Sequence, residues 1–167
     1  MDAERKRSFS PVVDQNTRVL ILGSLPGEAS LAATRYYAHP RNAFWRLLET
    51  VLDEPLVALP YADRLATLQR RSVGLWDVVA EAERRGSLDA AILNPSANDL
   101  LALVGTLPAL RGVAFNGGTA AKLGARLLAP VADRIETVAL PSSSPAHAAR
   151  SFAEKAVAWG VLKDWLS

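Results

Sequence analysis

TRVLILG, residues 17–23, is the stretch on which the fold turns. Its β-branched and leucine residues run without a polar break into a glycine, so neither side of a strand made from it would face water. Strands buried on both faces belong to parallel sheets covered by helices on each side. Working outward, residues 42–52 place Phe44, Trp45, Leu47, Leu48, Val51 and Leu52 at helical spacing. Residues 61–71 predict a second helix and VGLWDVV, residues 73–79, a second strand. Residues 99–107 predict a helix capped by Asn98 or Ser96. The C-terminal half continues the alternation, with strand at 111–115, helix at 117–128, strand at 135–140 and a closing helix at 146–166. Parallel neighbours need crossover helices, so the pattern predicts an α/β three-layer sandwich on a central four-stranded, mainly parallel sheet.

Composition narrows the chemistry. The 167 residues, half of them hydrophobic, suffice for one domain spanning residues 1–167, with residues 1–16 expected to be a flexible or loosely packed lead-in. No apolar run approaches the roughly 18 residues of a membrane span. The start, MDAERKRSFS, is charged and has no apolar stretch behind it, which predicts an untargeted cytoplasmic protein. The chain has no cysteine and only two histidines, which removes thiolate chemistry and His-rich metal sites, so neither a cofactor nor a metal is expected. Only four of the 19 basic residues are lysines, and the arginine excess suits phosphate without proving nucleic acid. Nothing in the sequence asks for an oligomer, and a monomer is expected.

In open parallel sheets ligands bind beyond the carboxyl ends of the strands. The unusual residues cluster there. GSLPG, with Gly23, Ser24, Leu25 and Pro26, follows the first strand; its glycines permit close backbone approach to a base or phosphate, or simply make a tight turn. It matches neither a dinucleotide fingerprint, a phosphate-binding Walker loop nor a hydrolase elbow. YYAHPRNAFW, residues 36–45, puts Tyr36 and Tyr37 in a loop ahead of Pro40, where an aromatic ring can stack on a planar base. Asn42 either caps the following helix or turns its amide into the cleft, and residue type alone favours the cap. Asn116, ahead of two glycines, offers donor and acceptor to a base edge, or a helix cap. Ser142, Ser143 and Ser144 ahead of Pro145 bind a phosphodiester or form a solvated turn. His39 reads as a loop-packing residue, and the pairs Arg70–Arg71 and Arg84–Arg85 as solvated faces.

Taken together, GSLPGEAS with YYAHPRNAFW, then VGLWDVV, GSLDAAILNPSANDL and AFNGG, and finally LPSSSPAHA resemble the uracil-DNA glycosylase superfamily, and within it the hypoxanthine-DNA (deoxyinosine) glycosylase branch. The resemblance runs from about residue 18 to the last helix and implies the same sheet and helices. It implies hydrolysis of an N-glycosidic bond in DNA, with Asn42 as catalytic amide, Asn116 as a second important amide and Tyr37 stacked on the flipped base. This reverses the capping preference for Asn42.

Other branches place a water-activating Asp or Asn after the first strand and a His or Asn in the last motif; this chain has Leu25 and Leu140 there. The chain thus departs from the usual uracil-excision machinery of those branches at both points. The reading that follows is a DNA repair glycosylase, without a lyase step, for deaminated bases, hypoxanthine first. Asn42 orients water, Asn116 and the amides of residues 23–26 read the base, serines 142–144 clamp phosphates, and Pro145 and His147 belong to a turn entering the gap left by the flipped nucleotide. Asp77 and Glu28 are the carboxylates available if a proton must be abstracted. Uracil or xanthine in mismatches is the alternative substrate, and a catalytically silent DNA- or nucleotide-binding protein is the alternative class.

Overall fold

The computed structural model describes residues 5–167. Four strands, β2 (Val19–Gly23), β3 (Val73–Asp77), β6 (Gly112–Asn116) and β7 (Glu136–Leu140), form one sheet in the order β3-β2-β6-β7. All three pairings are parallel. Along β2, Val19 and Ile21 enter one apolar cluster while Leu20 and Leu22 enter another, which is why the sequence shows no alternation there. The first cluster is built by α2 (Phe44–Leu52), α3 (Tyr61–Arg70) and α6 (Phe152–Trp159), through Phe44, Leu48, Leu68 and Trp159. On the other face, α4 (Leu100–Gly105) and α5 (Gly118–Leu128) contribute Leu100, Val104, Ala120 and Leu128. The expected parallel sheet with helices on both sides is therefore present.

A second sheet was not expected. β3 ends at Asp77, and after Val78 the chain re-enters extended structure as β4 (Val79–Glu83), so VGLWDVV is the end of one strand and the start of another. β4 lies between β1 (Arg5–Arg7) and β5 (Leu93–Ala97) in an antiparallel three-stranded sheet. Ion pairs from Arg5 and Arg7 to Glu81, at 2.9 and 3.0 Å, join β1 to β4. The described part of the lead-in, residues 5–16, is tied down further: Val12 and Leu75 exchange backbone hydrogen bonds of 2.9 Å, and Trp76 Nε1 donates to the Phe9 carbonyl. These contacts cover the open edge of β3, which would otherwise present unpaired backbone groups.

Most element boundaries fall within two residues of the sequence reading, and the larger differences lie at the cap of α4 and at the closing helix. Asp99, not Asn98 or Ser96, caps α4 by accepting the Ala102 N–H; Asn98 donates instead to the Asp77 carbonyl and Ser8 Oγ. The closing helix starts only at Phe152, where Ser151 and Glu154 form a capping box, and after a tight turn at Gly160–Leu162 a last turn, α7 (Lys163–Leu166), ends the chain. The freed residues 141–151 form a loop above the sheet. A short helix, α1 (Glu28–Ala33), follows the GSLPG loop.

Candidate active site

The carboxyl ends of β2, β3 and β6 and the loop after β7 open into one cleft of about 590 Å³. Every residue singled out from the sequence as a site residue lines it: Gly23, Ser24, Leu25 and Pro26 from the first loop; Tyr37 and Asn42 from the second; Asn116 at the end of β6; and Ser142, Ser143, Ser144, Pro145 and His147 from the last. Asp77 and His39 also line it. Its volume falls within the roughly 300–1,000 Å³ common for small-ligand sites, enough for a nucleobase and its sugar.

The N-cap of α2 is Ala43, and Asn42, one residue before it, satisfies an amide of the first turn. Its Oδ1 accepts the Phe44 N–H at 3.0 Å, fixing which end of the amide is oxygen, while the residue borders the cleft. With its oxygen so engaged, the amide has N–H donors to offer and is no general base. Asn116 is buried and gripped twice by Ser143: its Nδ2 donates to Ser143 Oγ and its Oδ1 accepts the Ser143 N–H, each at 2.9 Å. One N–H remains for anything else. Ser143 in turn accepts the Ala43 N–H through its carbonyl, so β6, the serine loop and the start of α2 are locked together. Ser143, expected to clamp phosphate, is thus a structural post with 1% exposure. Ser142 and Ser144 also accept amides of their own loop, and the exposed Pro145–Ala146 turn projects beyond them.

Tyr37 sits in the left-handed backbone region at φ 54°, a conformation costing an ordinary residue on the order of 1 kcal/mol. Its ring stacks on Phe44 with centroids 3.8 Å apart and planes 15° from parallel, which holds it there. Burial pushes the phenol pKa up, with the Asp77 charge adding to the effect and the nearby Asn116 amide opposing it. Gly23 is required by close approach: a Cβ there would lie 2.7 Å from Asp77 Oδ1 and 3.1 Å from Tyr37 Oη. Asp77 is 3% exposed, and burial raises its carboxyl to about 7, against the lowering effect of Arg84 and with the aid of Asp89. Asp77 Oδ2 has no hydrogen-bond partner, and Tyr37 Oη has only the nearby Asn116 amide, outside good hydrogen-bond geometry.

Two supports escaped the sequence reading. Arg84, read as part of a solvated face, is buried; its guanidinium holds the carbonyls of Leu25, Pro26 and Gly86 from behind the GSLPG loop. Asp89 accepts the Ser24 hydroxyl at 2.6 Å. Both belong to the segment joining β4 to β5, whose role is visible only once the second sheet is known. Leu25 packs with Val79 and Ala82, and Leu140 lies in the main core, so both face apolar surroundings where other branches carry polar groups. His39 Nδ1 accepts the Arg41 N–H, as expected of a loop-packing residue. Glu28, the other carboxylate considered, is paired with Lys6. Among the described residues no cluster of three or more His, Cys, Asp or Glu could hold a metal, and no helix is long and apolar enough to cross a membrane.

A parallel four-stranded sheet with amides, tyrosine and serine loop gathered at its carboxyl rim matches one family throughout: the chain belongs to the Uracil DNA glycosylase superfamily, whose model covers residues 10–163. Within it, the chain is 44% identical over 113 residues to a protein named Hypoxanthine DNA glycosylase from Methanosarcina barkeri, covering 68% of this chain and 72% of that one. A protein of the same name from Methanosarcina acetivorans is 41% identical over 142 residues, covering 85% and 88%. The solution NMR structure of a Methanosarcina acetivorans protein named as a candidate uracil DNA glycosylase superposes with a TM-score of 0.85 at 38% identity, over 97% of this chain and 99% of that one.

Proposed function

We propose that the protein excises hypoxanthine from deoxyinosine in DNA, leaving an abasic site. One observation carries the reading: Tyr37, Asn42 and Asn116, from three separate segments, border a single cleft of base size. The names of the two relatives point to the same substrate. An inosine-containing pair is weakly held, so its base is cheap to extrude. The base stacks on the Tyr37 face that Phe44 leaves uncovered, while loop amides of residues 23–26 and the spare Asn116 N–H meet its edge. Asn42 donates its amide N–H toward the reacting centre and so orients the attacking water. An amide removes no proton, so bond breaking runs ahead of water attack and negative charge builds on the base as it leaves.

Lys155 donates to the Ser144 carbonyl at 3.5 Å behind the serine loop, and no lysine lines the cleft, so the enzyme stops at hydrolysis without a lyase step. It acts as a cytoplasmic monomer on DNA containing a deaminated base. Uracil is the second reading, favoured by the name of the NMR relative. Duplexes carrying deoxyinosine, deoxyuridine or deoxyxanthosine, incubated with the protein and assayed by mass spectrometry for free base, decide between them. Hypoxanthine is expected first. Release of uracil alone overturns the substrate, and release of no base overturns the function.

A further inference from the structure

We propose that Asp77, as a neutral carboxylic acid on the cleft floor, delivers its proton to the departing base. The inference rests on the glycosylase reading above and adds to it a catalytic residue that Asn42 and Asn116 do not replace.

The geometry comes first. Asp77 ends β3 directly opposite Gly23, which ends β2, so its side chain stands at the carboxyl rim of the sheet where the cleft begins. Oδ1 and the Tyr37 hydroxyl converge on Gly23, where no side chain fits between them. Asp77 Oδ2 is buried without a partner, and Tyr37 Oη, also buried, has only the Asn116 amide near it. Buried polar groups are almost always paired, so a carboxyl with an unpaired Oδ2, in a residue that lines the cleft, calls for a partner that a bound molecule or a proton can supply. Of the other polar groups nearby, Asp89 takes the Ser24 hydroxyl, His39 Nδ1 takes an amide of its own loop, and Asn116, held by Ser143, has one N–H left, which as an amide donor cannot deliver a proton.

Protonation is consistent with the surroundings. Arg84, from the segment joining β4 to β5, favours the carboxylate, whereas the loss of water and Asp89 disfavour it. The Tyr37 phenol, facing from the loop before α2, stays neutral. Burial is the largest of these effects, and the carboxyl keeps its proton up to about pH 7. A carboxylate in this position would repel the anion that forms; the acid attracts it.

The step balances without a co-reactant. The C1′–N9 bond breaks and its electron pair leaves with the base. The Asp77 proton passes to a ring nitrogen or the keto oxygen, so hypoxanthine departs neutral and Asp77 becomes a carboxylate. Water adds to C1′ of the sugar cation, and the proton it sheds restores the acid. One water is consumed.

Single-turnover base release across pH 5–9, for the wild type and Asp77→Asn, tests the assignment. The wild-type rate is expected to fall about tenfold per pH unit above about pH 7, and Asp77→Asn to be slower by about 10²–10⁴-fold and to lack that limb. A variant with the wild-type rate and limb, or a wild-type rate that climbs through pH 7, overturns the proposal. Should Asp77→Asn fail to fold, carbon NMR titration of the wild-type Asp77 carboxyl with and without hypoxanthine base serves: its midpoint is expected to rise on binding, and an unchanged midpoint overturns the proposal. The two readings fail separately. If uracil or xanthine is released and Asp77→Asn still removes the limb, the substrate falls and the acid stands. Hypoxanthine release with the limb intact does the reverse, and no release from any duplex sinks both.

Discussion

Asn116 and Ser143 clasp each other through two hydrogen bonds of 2.9 Å, side chain to hydroxyl and side chain to backbone, in a site where both are buried. The amide that the family resemblance ranks as important therefore spends most of its capacity holding the serine loop to the end of β6.

Asn116→Ala leaves the Ser143 N–H and hydroxyl without partners in a dry site, which costs about 1–3 kcal/mol. Ser143→Ala removes one of the two bonds and keeps the other. Chemical denaturation of both single variants and the double variant is expected to show a coupling of about 0.5–3 kcal/mol. Additive losses would mean that the clasp contributes nothing beyond its parts.

At Asn42, capping and chemistry separate by substitution. Asn42→Asp keeps an oxygen for the Phe44 N–H, so stability should stay within about 0.5 kcal/mol of the wild type, while Asn42→Ala loses about 1 kcal/mol. Both variants lose the N–H donors, and base release in single turnover should fall about 10²-fold or more in each. Activity that tracks stability instead would reduce Asn42 to a cap.

Asp77 imposes a pH slope on stability. Its folded pKa is raised above the unfolded 3.8 to about 7, so between these values the native state holds a proton that the unfolded state has released. Stability therefore declines as pH rises from about 4 to 7, by on the order of 4 kcal/mol in total, and levels off above that. Urea unfolding from pH 4 to 8 should show the decline in the wild type relative to Asp77→Asn. Parallel curves for the two would contradict it.

Arg84 is buried to hold three carbonyls. Arg84→Ala strands them and should cost about 1.5–3 kcal/mol. Arg84→Lys should recover little, since one ammonium cannot reproduce a planar fork. Full thermal stability in Arg84→Lys, measured by calorimetry, would show that the fork is not what the loop needs.

The central sheet was legible because β2 and β6 are buried along their whole length and so carry nearly unbroken apolar runs. The antiparallel sheet was not: β5 is exposed along its whole length and contains Pro95, and β4 follows β3 after a single residue, so neither shows a pattern of its own. Which loops line the cleft was legible from polar and glycine-rich residues beyond the strands, Asn116 at the end of β6 among them; for Asn42 residue type pointed to a cap, and only the family resemblance pointed to the site. What those amides hold was hidden, because the Asn116–Ser143 clasp spans 27 positions and the Arg84–Leu25 contact 59. Arg84 beside Arg85 looked like surface charge; only the fold shows that one turns inward.

The central claim is that the strand-end cleft receives an extruded purine between Tyr37, Asn42 and Asn116. A crystal structure of Asn42→Ala bound to a duplex containing deoxyinosine tests it most directly. The account predicts hypoxanthine in the cleft, stacked on Tyr37, with its polar edge within hydrogen-bond reach of Asn116 and Asp77. A base still stacked in the duplex, or lodged away from Tyr37, would contradict it.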